Sequence, residues 1–242
     1  MRAILRFFFR LLYHPFAFAY DLVAASVSFG RWKDWTMEVV PFLSGTRILE
    51  LGHGPGHLQR LLLSRGLTAV GVDESAQMGR LARRQVEKKF GSSIKLDIKA
   101  SAAQQIACAQ NNLVRGLAQG LPFPIAAFDT VVSTFPAEYI FDARTLTEAY
   151  RVLTPAGRFD ILHGAVITGR GIRDRFLAWL FRFTGQTPSN LSEIIHERSK
   201  EPFANAGFQL QVHELSVKSS IVFIMIATKL PHERKFHAQK TA

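Results

Sequence analysis

The stretch that decides the fold is Arg47–Leu62, RILELGHGPGHLQRLL. An apolar run enters three glycines spaced two apart, Gly52, Gly54 and Gly56, and a helical pattern follows at once. The order predicts a buried strand, a tight turn and a helix. Glycines in such a turn let the backbone approach a ligand closely, and the helix amino terminus offers unpaired N–H groups. Asp73 closes the next apolar run, TAVGVD. A carboxylate there can accept two hydrogen bonds from a ribose diol, so the turn predicts a nucleoside ligand.

Two common nucleotide turns do not fit. A dinucleotide turn places its third glycine where this chain has His57. A phosphate loop needs a lysine after Gly56, and none is there. What stands is E-x-G-x-G-x-G: Glu50, Gly52, Gly54 and Gly56.

Outward from this stretch, apolar strands alternate with helical segments. GHLQRLLLSRG reads as a helix closed by Gly66. SAQMGRLARRQVEKKFG reads as a helix capped by Ser75 and stopped by Gly91. NNLVRGL and FDTVVSTF are the third and fourth strands, ARTLTEAYRVLTP a helix, and GRFDILHGA the fifth strand. IRDRFLAWLFRFTG and SEIIHERSKEPFANAG read as helices. FQLQVHELSV and SSIVFIMIATK form a strand pair joined through Lys218 and Ser219. Alternating strands and helices imply a mostly parallel sheet with helices on both faces. The closing pair, with no helix between its members, implies an antiparallel edge. The segment between Gly91 and Asn111 breaks the pattern and reads as an insertion.

In this order the motifs resemble those of the class I S-adenosylmethionine-dependent methyltransferases, in the branch that includes quinone-biosynthesis and other small-molecule enzymes. ILELGHGPGHL is similar to their first motif. VGVDES, LPFPIAAFDTVVSTFP and LTEAYRVLTPAGRFDIL follow at matching places, and the resemblance runs from Arg47 to about Leu162. It implies a Rossmann-like, seven-stranded, mostly parallel sheet with an antiparallel edge strand, preceded by an N-terminal helical extension. Residues 1–43 are then the extension, 44–230 the methyltransferase domain and 231–242 a basic tail.

The resemblance also implies the ligand, S-adenosylmethionine with S-adenosylhomocysteine as product, and the residues that hold it. Glu50, Gly52, His53, Gly54 and Gly56 face the methionine moiety and its ammonium. Asp73 holds the ribose hydroxyls, with Glu74 and Met78 near ribose and adenine. Leu117 and Ala118 flank the adenine edge, and Thr134 and Phe135, with Ser133, end the fourth strand beside the methyl group. Leu117 stands where the family often has an Asp that accepts from the adenine amine. Losing that acceptor costs about 0.5–1.5 kcal/mol of binding. Ala156 stands where a second glycine is common, so its backbone is expected to avoid positive φ.

Methyl transfer is a displacement helped mainly by in-line positioning, and it needs no metal. A neutral oxygen or nitrogen acceptor needs a base near its proton. Tyr139 and His163 are the leading candidates, with Glu138, His53 and His57 behind them; each also has an ordinary structural reading. TFPAEYI lacks an Asn-Pro-Pro-Tyr signature, which argues against amino-methylation of nucleic acid bases.

Composition bounds the partners. The chain has 242 residues, 48% hydrophobic and 20% charged, enough for one domain with a full core. The single cysteine, Cys108, leaves no intrachain disulfide and points to a reducing cytoplasm. A net charge of +11 favours anionic partners, either a membrane surface or nucleic acid, or is simply a solvated basic surface. Arg2, Arg6 and Arg10 interrupt the apolar N-terminus at four-residue spacing, so it is too broken to span a membrane. The pattern suits a helix lying on the inner face of a membrane, or one packed on the domain as a pocket cover. The aromatic residues near Trp32 and Trp179 suit a cover over a small, lipophilic acceptor such as a quinone precursor. RNA or protein methylation, and a non-catalytic interaction module, are the alternatives.

Overall fold

The computed structural model describes residues 31–93, 112–168 and 191–231. The arginine-spaced N-terminal helix, most of the 91–111 insertion, the aromatic segment around Trp179 and the basic tail beyond Pro231 lie outside the described residues. Seven strands form one sheet in the order β3-β2-β1-β4-β5-β7-β6. They are β1 (Arg47–Leu51), β2 (Thr68–Asp73), β3 (Leu113–Arg115), β4 (Phe128–Thr134), β5 (Leu153–Ile167), β6 (Phe208–Val217) and β7 (Ser220–Lys229). The described residues divide into two compact units. One comprises 31–37, 49–93 and 112–117; the other comprises 38–48, 118–168 and 191–231.

In the first unit, α1 (Trp32–Met37) precedes α2 (His57–Ser64) and α3 (Ala76–Ser93). β2 and β3 are parallel, with Asp73 level with Arg115. Leu49 and Leu51 of β1 are fully buried, as apolar residues of a strand covered on both faces are. α2 ends as expected. Gly66, at φ 75°, donates to the Leu63 carbonyl, and Leu67 donates to that of Leu62. Ser75 caps α3, its hydroxyl accepting from Met78 N–H at 3.3 Å. The same helix places Met78, Ala82 and Val86 on one buried face. It does not stop at Gly91 but continues to Ser93. A glycine inside a helix costs only about 1 kcal/mol, too little to end it without other signals.

In the second unit, β4 and β5 are parallel, while β7 runs antiparallel to both β5 and β6. The predicted antiparallel edge is therefore β6, and Lys218, at φ 53°, makes its hairpin turn with Ser219. α4 (Ala143–Val152) starts at Asp142, whose carboxylate accepts from Arg144 N–H. Its far end is capped from β7: Lys229 Nζ donates to the Tyr150 and Leu153 carbonyls at 2.8 and 2.6 Å. α5 (Leu191–Asn205) contributes Phe203 to a ring cluster with Phe159 and Phe208, centroids 6.1–6.4 Å apart.

Two details of β5 depart from the sequence expectation. The strand starts at Leu153, earlier than GRFDILHGA. Ala156 adopts φ 60°, the left-handed region it was expected to avoid. The turn geometry is imposed by the ladder on either side, and alanine tolerates it at roughly 1–2 kcal/mol. Gly157 beside it is obligatory: a Cβ there would lie 2.9 Å from the Thr154 carbonyl oxygen and 3.0 Å from that of Asp129.

Candidate functional site

The site begins at the carboxyl end of β1. Gly52, Gly54 and Gly56 have φ of 68°, 52° and 84°, all left-handed, which is why the turn is written in glycine. Gly52 N–H donates to the Val72 carbonyl at 2.8 Å, and Gly56 N–H to that of His53 at 3.0 Å. The turn is thus stitched to β2 and closed on itself. A Cβ on Gly54 would meet nothing within 4 Å, so this residue faces open space. One on Gly56 would strike Ala82 of α3 at 2.8 Å.

Asp73 is drawn into the turn. Its Oδ2 accepts from Gly54 N–H at 2.9 Å and its Oδ1 from Ser75 N–H at 2.8 Å. These bonds fix the carboxylate plane. An ionised carboxylate has about four acceptor positions, so two remain for a diol. Glu74 beside it is exposed.

Glu50 is 1% exposed, and Gln59 Nε2 of α2 donates to its Oε2 at 2.8 Å. Burial dominates and pushes the carboxyl up to about 8, against the lowering effect of the Gln59 bond; the Asp73 charge adds to the rise. Gln59 Oε1 is itself buried without a partner. An acid buried this way is poised to ionise when a cation arrives. The turn therefore has the features a nucleoside with an ammonium tail requires: an open backbone cradle at Gly54, a fixed carboxylate at Asp73 and a buried acid at Glu50.

The raised Glu50 carboxyl makes stability pH-dependent. The unfolded chain ionises it near 4.5 and the folded chain only near 8, so stability falls as pH rises between those values. Glu50→Gln is expected to remove that slope. The variant should exceed the wild type at pH 8 by on the order of a few kcal/mol and match it below pH 4.5. Urea unfolding across pH checks this; parallel profiles would refute it.

His53 is 4% exposed, with Nδ1 donating to the Gly54 carbonyl at 2.7 Å. Burial holds its imidazole below the usual range, against the raising effect of Asp73, so it is neutral. Its ring sits where a Gly71 side chain would be, 3.0 Å from that Cβ position. His53 supports the turn from beneath. Met78 is likewise buried, at 1% exposure, within the α3 face. Sequence reading does not single out Gln59; its one local signal is a polar residue next to the apolar Leu58 and ahead of Leu62, and the structure buries it fully.

Leu117 lies in the first unit and is 54% exposed. The second unit holds Ala118, buried, and the loop that follows. Arg151 of α4 donates to the Phe123 and Leu121 carbonyls at 2.7 and 2.9 Å. It also makes a two-pronged pair with Glu148, whose Oε2 accepts from Leu121 N–H at 2.7 Å. The loop backbone is pinned at three points by two side chains one helical turn apart. Arg151→Met should lower stability by about 1–3 kcal/mol, since two loop carbonyls and Glu148 lose a charged donor. Denaturant unfolding reads this, and a change under about 0.5 kcal/mol would contradict it.

Thr134 ends β4, and Phe135 follows it, one residue beyond the strand. Phe135 is left-handed at φ 50°, and its N–H donates to the Leu162 carbonyl at 2.8 Å. Buried Ser133 Oγ lies 3.1 Å from the Tyr139 hydroxyl. His163 follows Leu162 in β5, its ring edge-on to Phe141 at 5.8 Å. Among the described residues no acidic, His or Cys cluster could hold a metal, and no helix is long and apolar enough to cross a membrane.

Comparison with known proteins agrees with this geometry. Residues 49–161 match the methyltransferase domain model. The chain is 33% identical over 149 residues to a demethylmenaquinone methyltransferase of Thermus thermophilus, covering 59% of this chain and 60% of that protein. It is 32% identical over 179 residues to one of Symbiobacterium thermophilum, covering 70% of this chain and 64% of that protein. It thus spans less than two thirds of the length of these relatives. The fold is similar to that of a SAM-dependent methyltransferase of Thermotoga maritima, with TM-score 0.53 and 18% identity over 90% of this chain and 99% of that one. Residues 49–161, from β1 into β5, thus carry a methyltransferase domain, and the relatives and the fold support a class I S-adenosylmethionine-dependent methyltransferase.

Proposed function

We propose that the protein transfers a methyl group from S-adenosylmethionine to a small, lipophilic acceptor of the quinone-precursor type, by in-line displacement. The donor supplies an activated methyl on a cationic sulfur. The observation that carries the donor half is the Gly54–Asp73 bond beneath an open glycine cradle, with Glu50 buried nearby. Asp73 binds the ribose diol and Glu50 the ammonium. Gly52, Gly54 and Gly56 give backbone approach, and His53 props the turn. Glu74 and Met78 serve the ribose side, and Leu117, Ala118, Thr134 and Phe135 the adenine and methyl sides. Residues 44–230 form the catalytic domain, with 1–43 as cover or membrane-surface helix and 231–242 as basic tail. The acceptor class is supported by the relatives named for demethylmenaquinone methylation and by the aromatic residues of the extension.

Calorimetry with S-adenosylmethionine and S-adenosylhomocysteine tests the donor half. Folded protein that binds neither at millimolar concentration would sink it. Radiolabelled methyl transfer into a cell extract, partitioned into lipid, nucleic acid, protein and aqueous fractions, tests the acceptor half. Label is expected in the lipid fraction.

The net charge of +11 favours a second reading, RNA methylation. It requires label in the nucleic acid fraction and RNA binding that falls steeply with salt. The same charge, with the N-terminal arginines, supports docking on an anionic membrane from the cytoplasmic side. Flotation with anionic vesicles, with and without residues 1–14, separates these partners.

A further inference from the structure

The glycine turn is served by a residue outside its own motif. Gln59 lies in the first turn of α2 and is wholly buried. Its amide nitrogen uses both hydrogens. One goes to Glu50 Oε2 at 2.8 Å and the other to the Val70 carbonyl of β2 at 3.3 Å. The amide oxygen, Oε1, is buried with no partner.

This arrangement fixes the amide one way round. Turning it over would set Oε1 against the Val70 carbonyl oxygen, and two acceptors repel. Gln59 therefore shows Glu50 a donor and only a donor. A donor favours the ionised carboxylate, whereas an amide matched to the protonated acid would turn its oxygen to it. A buried orphan such as Oε1 calls for a reason, and the fixed donor at the other end of the amide is one.

The rest of the surroundings oppose the charge. Burial disfavours the ionised form, and Asp73 of β2 is a second anion; among the described residues no cation acts on Glu50. His53 in the turn is neutral. In the empty site Glu50 is thus mostly protonated at neutral pH, since its carboxyl is pushed up to about 8. The ammonium of the donor is the cation the site lacks. It favours the carboxylate over the acid, so the proton has to leave as the ammonium arrives.

We propose that Gln59, locked by Val70, is a positioning residue for donor binding: it holds Glu50 ready to ionise, and the arriving ammonium expels one proton from Glu50 to solvent. The O–H bond of the acid is replaced by an ion pair, and the proton passes to buffer. The proposal rests on the reading of Glu50 as the partner of the donor's ammonium. It adds to that reading a residue outside the motif and a link between donor affinity and pH. Affinity rises with pH while Glu50 is protonated in the free protein, and levels off once pH passes about 8.

The test is calorimetry of the full chain with S-adenosylhomocysteine, which keeps the ammonium. Titrations of the wild type in phosphate and in Tris, at about pH 7, should report release of most of one proton. Gln59→Met keeps the length of the side chain and removes the donor. Its affinity should lie roughly tenfold below wild type at about pH 7 and within roughly twofold at about pH 9. The ligand's own amine titrates alike against both proteins, so their ratio isolates Glu50. A merely structural role for Gln59 predicts a loss that is the same at every pH. Gln59→Leu is read in the same way where urea unfolding shows Gln59→Met to be unfolded. Ligand that binds the wild type without releasing a proton, or a variant whose loss is absent or constant across pH, overturns the proposal and leaves the donor reading in place. Ligand that fails to bind the folded wild type at every pH removes the donor reading, and the proposal with it.

Discussion

Asp73→Ala is expected to weaken S-adenosylhomocysteine binding roughly 30- to 150-fold, about 2–3 kcal/mol. The carboxylate already holds Gly54 N–H and Ser75 N–H at 2.9 and 2.8 Å. It enters the complex as a fixed acceptor, with little side-chain freedom left to lose. Alanine removes two charge-assisted bonds to the diol and also frees the Gly54 backbone that forms the cradle. Asp73→Asn separates these effects. Its amide oxygen can still accept from Gly54 or Ser75, so the turn is largely kept, but one diol bond is lost. An intermediate loss, roughly tenfold, is expected for it. Calorimetry gives both affinities, and urea unfolding shows whether each variant is folded. Affinity within threefold of the wild type for folded Asp73→Ala would remove the ribose role of this residue.

The features legible in the sequence are those written in neighbouring residues. Gly52, Gly54 and Gly56 announce their left-handed backbone because few other residues adopt it readily. Asp73 is legible because it ends an apolar strand at the expected interval, and β6–β7 because two apolar runs leave no room for a helix. The features that escaped depend on partners distant in sequence. Gln59 reaches Glu50 only because α2 packs back on β1. The bulge that sets His163 apart exists in register with Ile224 and Phe223, some sixty residues later. Ala156 and Phe135 hold positive φ without glycine, so no local signal marks them. Leu117 is legible as a departure from the family pattern, and it is 54% exposed. The pattern has a physical cause. Local backbone preference is encoded by residue type, whereas strain imposed by tertiary contacts is encoded by the whole sheet.

Gly54→Ala and Gly56→Ala are expected to fail in opposite ways, although both place a Cβ on a left-handed residue two positions apart. At Gly54 the new methyl meets nothing within 4 Å. Its folding cost is the conformational strain alone, roughly 1–2 kcal/mol. The open space it enters is the cradle itself, where close backbone approach to the ligand is the reason for a glycine. Binding of S-adenosylhomocysteine should fall at least tenfold while the protein stays folded. At Gly56 the methyl would lie 2.8 Å from Ala82 Cβ and 2.9 Å from its Cα, against the backbone of α3. Neither atom is the end of a flexible side chain, so α2 and α3 must move apart. Strain and overpacking together are expected to cost about 3–5 kcal/mol, a large share of the stability of a domain this size. Thermal unfolding should therefore separate the two variants by several degrees, with Gly56→Ala the lower, and calorimetry should separate them the other way wherever Gly56→Ala remains folded. A Gly54→Ala protein that binds the ligand as tightly as the wild type would mean the open face of the turn is not where the ligand lies. Such a result would move the donor site away from the turn even if Asp73→Ala abolished binding, because Asp73 also holds the turn together.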